Sequence, residues 1–414
     1  MSKVKKIFAY QIIASGGRPT IEAKLILDNN QEVVAQVGSD EIVEKYQAEE
    51  VRDGDSAHYD GMGVSRAVDY INNLIGPKLV GVSPLKLAEV DGWLHNTDNT
   101  ENKSKLGINT ILAISTLFAK AGAKETGMSL YSYINSLYNA KHPEVKVALE
   151  KLPSPIIPLL SGKIKESLGV DFKEFQIVSS SSLSFERSLE IGVQISLSLK
   201  EMFNQSKILT NIDAMEVISA AIIRSNHKIG QEVFFSINFD ATRYVKNGRY
   251  QVKDRQQPLK SEDYIDFLIE LDKKYLPLVL IDPVASSDWE TWKVLSAKLS
   301  KEIYLVGNNL ICSNAKLMQK AITEKFCSTF IIKTSQVGTI SEIFELIALA
   351  RKNGLNFIMS SSDYETNDSF ISDLAVGLQV DLVTFGKPTY GENLSKYNRM
   401  VVIEKEIQAL KLKK

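Results

Sequence analysis

Cysteine is almost absent: 414 residues include two, Cys312 and Cys327, both beside apolar runs. Without spaced cysteine pairs there is no disulfide framework, and a reducing compartment is permitted. An excess of either charge is missing too, since 49 Lys and Arg against 50 Asp and Glu leave a formal net charge of -1. That balance gives no electrostatic footprint for nucleic acid, and the basic ending "KLKK" is short enough to read as a solvated tail. No stretch approaches the roughly 18 consecutive apolar residues that a membrane helix needs. The opening "MSKVKKIFAYQIIASGG" sets basic residues ahead of apolar ones, as export signals do. Tyr10 and Gln11 interrupt it, however, and period-2 alternation runs on through "TIEAKLIL", so it reads as a first strand pair. These features together lead us to expect a cytoplasmic protein. Low-complexity segments, short repeats and a glycine-rich phosphate turn after a strand are also lacking.

What is present falls into two patterns. In residues 1–140, "KKIFAYQIIAS" and "PTIEAKLILDNNQEVVAQVG" read as strands, with "DNNQ" as a hairpin turn. Helical periodicity follows at Val64–Ile75 and Ser83–Trp93, then in the Ala-rich stretch Asn109–Thr126. This is a small α+β unit. "NAKHPEVKVALEKLPSP" reads as a connector, with Pro143, Pro153 and Pro155 as breakers. In residues 141–414 short apolar strands ("FFSIN", "LPLVLI", "IYLVG", "STFIIK", "NFIMS", "DLVTF") alternate with helical stretches such as Asp288–Leu299, Asn314–Lys325, Thr339–Asn353 and Ser369–Leu378. Successive strands without hairpin turns predict parallel pairing through crossover helices, hence an α/β fold with a β/α barrel.

Function in such a barrel gathers at the C-terminal strand ends. These supply Asn238, Asp240, Asp282, Asn308, Asn309, Lys333, "SSSD" at 360–363, and Thr384. The four histidines, His58, His95, His142 and His227, all lie elsewhere and read as surface or packing residues. Lys333 ends an apolar strand. Desolvation there would lower its pKa toward the range of a base, and pairing with an acid is the structural alternative.

Several motifs then agree in order and spacing. "NTDNTENKSKLGINTILAIS" is similar to the enolase segment "DGTxNKSKLGANAILGVS". "VRDGD", "KEF", "DWETW", "LVGNNL", "IIKTSQVGTISE" and "DSFISDLAVGL" follow at matching spacings. The chain therefore resembles the enolase (phosphopyruvate hydratase) family over nearly its whole length. The resemblance implies an α+β N-terminal domain ahead of an enolase-type β/α barrel. It also implies an ancestral reaction: dehydration of 2-phosphoglycerate to phosphoenolpyruvate, with two magnesium ions and a lysine base.

The functional positions implied by the resemblance mostly fail. The three metal carboxylates correspond to Asn238, Ile281 and Asn308, and a hard dication wants anionic oxygen. The lid "SGAST" reads "SDEIV", which keeps Ser39 but has Ile42 at the second-metal serine. The active-site histidine corresponds to Lys165, and the "GDEGG" segment is missing. The phosphate-binding "SHRS" reads Ser360, Ser361, Ser362, Asp363, and the substrate lysine of "IKTG" is Thr384. Two positions survive, Lys333 at the base and Glu174 at a catalytic glutamate, and we expect them to pair with each other inside the barrel. The expectation is thus an enolase-like protein that has lost hydratase activity, with no metal site, and serves as a non-catalytic binding or regulatory scaffold. Two alternatives stand: residual lyase activity, or a repurposed enzyme in which Asp240, Asp282, Asp363 and Glu174 form a new cation site with Lys333 as base. The expected partner is another protein, either an active enolase or a second copy. The family's dimer ion pair keeps Glu22 but has Val402 in place of its arginine.

Overall fold

A computed structural model describes residues 1–41, 47–161, 170–203, 208–299 and 301–412. Strands β1 (Val4–Ile13), β2 (Pro19–Leu27) and β3 (Glu32–Gln36) form an antiparallel sheet with β2 in the middle. Alternate β2 residues Ile21, Ala23, Leu25 and Leu27 are fully buried, as the period-2 pattern requires. They share one core with the helix Ile108–Thr126, which is apolar nearly all round and packs against β2 and β3. That helix stops at Gly127, whose left-handed φ of 66° suits a residue without Cβ.

The second part is a closed eight-stranded barrel. Its strands are β4 (Ser154–Ser161), β5 (Glu174–Ser179), β6 (Val233–Asn238), β7 (Pro277–Ile281), β8 (Tyr304–Gly307), β9 (Thr329–Lys333), β10 (Asn356–Ser360) and β11 (Leu382–Thr384). Six of them coincide with the apolar runs read from sequence. The helices Trp289–Lys298, Ala315–Glu324, Ile340–Lys352 and Phe370–Gly377 fall within the predicted stretches. An apolar cluster of Ile156, Val178, Val279, Ile281, Val306, Ile331, Ile358 and Leu382 fills the barrel interior.

Two expectations need correction. Pro155 does not end regular structure but lies inside β4, and a register shift between Pro158 and Leu160 accommodates the second proline. Nor is the barrel all parallel, because β5 runs antiparallel to both β4 and β6. The reason is connectivity. Only residues 162–173 lie between β4 and β5, and the two strands pair antiparallel. After β5 come two packed helices, Phe185–Phe203 and Asn211–Arg224. One helix would return the chain to the opposite end, whereas two bring it back to the end it left.

Among the described residues, no helix is long and apolar enough to cross a membrane.

Candidate functional site

Strand register defines the mouth of the barrel. Ser161 pairs with Glu174, Glu174 with Asn238, and Asn238 with Ile281. Further round the ring Lys333 pairs with Ser360, and Ser360 with Thr384. Asn308 follows the last residue of β8. Glu174 begins its strand, and it reaches the mouth because β5 is reversed. The ring opens onto a cavity of about 330 Å³ lined by Lys173, Glu174, Asn238, Asn308, Lys333 and Lys387, among others.

Lys333 does not pair with Glu174 as expected. Its Nζ lies 3.2 Å from Asp40 Oδ1 and 3.7 Å from Asp363 Oδ1. Asp40 comes from the N-terminal domain, is 3% exposed, and also accepts from Ser335 Oγ and from the Asp363 main-chain N–H at 2.8 Å. Reciprocal main-chain bonds between Ser39 and Tyr364 hold this segment on the barrel, at 2.8 and 2.9 Å. Arg18 Nε and Arg52 Nη2 both donate to Ser39 Oγ. Burial pulls the Lys333 pKa down, but the charges of Asp40, Asp363 and Glu174 outweigh it and hold the ammonium above its ordinary value. The lowered pKa expected of a base is therefore not found. Burial raises the Glu174 carboxyl, against the opposing effects of Lys173 and of a 2.9 Å hydrogen bond from Gln176 Nε2.

The remaining acids are occupied elsewhere. β6 ends at Asn238, and Asp240 adopts a left-handed conformation (φ 49°), so it does not continue the strand face of Asn238. It accepts from Asn309 Nδ2 at 2.9 Å and lies 3.6 Å from Lys173 Nζ. Asp282 accepts the main-chain N–H groups of Asn308 and Asn309, each at 2.9 Å. Burial pushes its carboxyl up to about 6 despite those bonds. Asp240, Asp282, Asp363 and Glu174 are thus not gathered into a cation site. Among the described residues no group of three or more His, Cys, Asp or Glu is arranged to hold a metal.

The family's magnesium does not fit the residues in its place. Ile281 belongs to the apolar interior of the barrel. Asn238 and Asn308 offer one neutral carbonyl oxygen each, both buried and without a hydrogen-bond partner. No carboxylate stands at any of the three positions, and a dication must recover its hydration energy from anionic oxygen. On the phosphate side Ser361, Ser362 and Asp363 line the cavity, so a serine stands where a bidentate cation would be needed and an acid stands beside it. Ile42 and Lys165 lie outside the described residues.

Sequence reasoning missed Asp40, Lys173 and Lys387. Asp40 follows the matched Ser39 directly, so a signal existed, but nothing local says that it crosses to Lys333. Lys387 stands three residues after Thr384, on the loop that leaves β11. Burial lowers its pKa, with Glu174 acting against that shift.

The family model described as "Enolase, N-terminal domain" matches residues 4–134, and that described as "Enolase, C-terminal TIM barrel domain" matches residues 149–412. A protein named enolase from Ehrlichia canis (strain Jake) is 33% identical over 418 residues, covering 98% of this chain and 96% of that protein. The enolase of Helicobacter pylori (strain ATCC 700392 / 26695) is 32% identical over 423 residues, covering 99% of this chain and 97% of its own. Two domains matched in order, and end-to-end similarity to named enolases, agree with the closed barrel: the chain belongs to the enolase family.

Proposed function

We propose that this enolase-family protein does not dehydrate 2-phosphoglycerate and acts as a non-catalytic binding or regulatory scaffold in the cytoplasm. The observation that carries the reading is the fate of the lysine base. Lys333 is held by the Asp40 carboxylate of the same chain, in a cavity that Asn238, Ile281 and Asn308 also line. Proton abstraction beside a carboxylate builds up negative charge on the substrate. The stabilisation of that charge is the main source of acceleration in such a step. Here the base is already an ion-paired ammonium, and the positions that would hold the stabilising cations are neutral. The Asn308 side chain supports the same view, since it donates its Nδ2 to Asn309 Oδ1 at 3.1 Å and leaves only a neutral carbonyl oxygen where a dication would need an anionic one.

The partner is another protein, an active enolase or a second copy of this chain. Glu22, which in the family would pair across a dimer, accepts from Gln36 Nε2 of its own chain at 2.7 Å, and Val402 is 48% exposed. A copy-to-copy contact of this chain would therefore lack that ion pair.

The test is phosphoenolpyruvate formation from 2-phosphoglycerate at saturating magnesium, beside a Lys333→Ala variant as blank. The expected result is no difference between the two. Turnover that depends on Lys333 would be the carbon–oxygen lyase reaction of the family and would overturn the proposal.

A further inference from the structure

The hydrogen bonds around Asn308 have only one consistent orientation. The Asp240 carboxylate can only accept, so Asn309 turns its Nδ2 to it at 2.9 Å. Asn309 Oδ1 then faces Asn308 and takes its Nδ2 at 3.1 Å. What remains of Asn308, a residue 7% exposed that lines the cavity, is an acceptor oxygen with no donor. Asn238 leaves its own Oδ1 unpartnered in the same way, and it is the cross-strand neighbour of Glu174, whose carboxyl receives only the Gln176 amide among the hydrogen bonds described. Buried acceptors without donors are costly, so a ligand that supplies N–H groups is favoured here.

Of the three lysines that line the cavity, two are ion-paired. Lys333 faces Asp40 and Asp363, and Lys173 faces Asp240. Glu365 faces Lys396 at 3.0 Å. The Lys387 ammonium makes no hydrogen bond or ion pair to any described residue, and burial depresses its pKa against the opposing charge of Glu174. A phosphate dianion would meet this one unpaired cation together with Asp363 and Glu392. A ligand with one negative and one positive group is better matched. The volume of about 330 Å³ lies at the small end of ligand pockets, roughly 300–1,000 Å³, which fits a molecule of amino-acid size.

We propose that the barrel mouth binds a free α-amino acid, with its carboxylate on Lys387 and its ammonium group among Asn238, Asn308 and Glu174. The three N–H bonds of an ammonium match those three acceptors in number. One positive charge thereby stands where the family holds a dication. The proposal rests on the scaffold reading above and names the class of ligand that the scaffold senses.

The experiment is calorimetric titration and thermal shift of the full chain, without magnesium, against the twenty free L-amino acids. Propionate, n-butylamine, potassium chloride and 2-phosphoglycerate serve as controls. At least one amino acid is expected to bind saturably where the controls do not. Asn238→Leu, which removes no described side-chain hydrogen bond, and Lys387→Met, which lies on a loop, are each expected to weaken binding about ten-fold or more, the loss of one charge-assisted hydrogen bond. Both variants are first compared with the parent by cooperative unfolding, and either one alone, if folded, suffices. Absence of binding by every amino acid, equal binding by potassium or propionate, or unchanged affinity in the folded variants would overturn the proposal. Turnover of 2-phosphoglycerate in the parallel assay would instead defeat the scaffold reading. No turnover together with no amino-acid binding would defeat this inference alone.

Discussion

Asp40 of the N-terminal domain places its carboxylate 3.2 Å from the Nζ of Lys333 at the end of β9, 293 residues later in the chain. The pair joins the two domains at the mouth of the barrel, and the lysine becomes part of the packing between them.

Asp40→Ala would leave Lys333, whose side chain is 12% exposed, with Asp363 as its nearest acid at 3.7 Å. Breaking a buried ion pair costs roughly 3–5 kcal/mol, and Asp363 offsets part of this, so a loss of about 2–3 kcal/mol is expected. Adding Lys333→Met should recover most of it, because no charge is then left unpaired. Urea unfolding of the two single variants and the double variant measures the coupling, and strictly additive losses would count against it.

Restoring the carboxylates with Asn238→Asp, Ile281→Glu and Asn308→Asp should create a manganese- or magnesium-dependent rise in Tm. Stabilisation of about 2.7 kcal/mol is expected at a metal concentration of 100 times Kd. Without metal the triple variant should be less stable than the parent, since three acids then repel one another beside the apolar cluster around Ile281. It should remain inactive, because Lys333 is still bound to Asp40 and no phosphate clamp has been restored. A Tm indifferent to metal would show that the backbone no longer presents these positions to a common point.

Asp91, on the helix Leu87–Asp98, accepts the main-chain N–H of Ser341 at 3.0 Å in the first turn of the helix Ile340–Lys352. Burial pushes its carboxyl up to about 6, against the opposing hydrogen bonds of Ser341 and Ser115. The folded protein therefore holds a proton that the unfolded chain releases near pH 4. Stability should fall as pH rises between those values, by about 3 kcal/mol for a shift of roughly two units. Asp282, also near 6, acts in the same direction. Asp91→Asn should flatten the dependence, as read from urea midpoints at pH 4.5 and 7. An unchanged slope would place the titration elsewhere.

Both cysteines are buried thiols outside any disulfide. Burial pushes the Cys327 thiol up to about 12, leaving a thiolate fraction on the order of 10⁻⁴ at pH 8. Neither Cys312 nor Cys327 should react with a disulfide reagent in the native protein, and both should react on unfolding. Rapid native labelling would mean that the β8–β9 side of the barrel opens locally.

Local pattern was enough for much of this protein. Period-2 alternation marked β1 to β3, and six apolar runs marked β6 to β11, because each strand buries a face whatever its neighbours are. The chemistry of Asn238, Ile281 and Asn308 was legible because it depends on residue type alone: without a carboxylate, no conformation of these side chains supplies anionic oxygen. Direction and pairing were a different matter. Pro155 and Pro158 concealed β4, and the reversal of β5 follows from how many helices intervene rather than from its own residues. That reversal is what carries Glu174 to the mouth. Lys333 was visible as a buried cation, but its counter-ion is chosen by proximity in space. The sequence therefore determined which groups the barrel mouth contains and that none of the three positions Asn238, Ile281 and Asn308 carries an anionic oxygen. Only the tertiary structure decided that Asp40, rather than Glu174, holds the lysine, and that Lys387 is left without an ion-pair partner among the described residues.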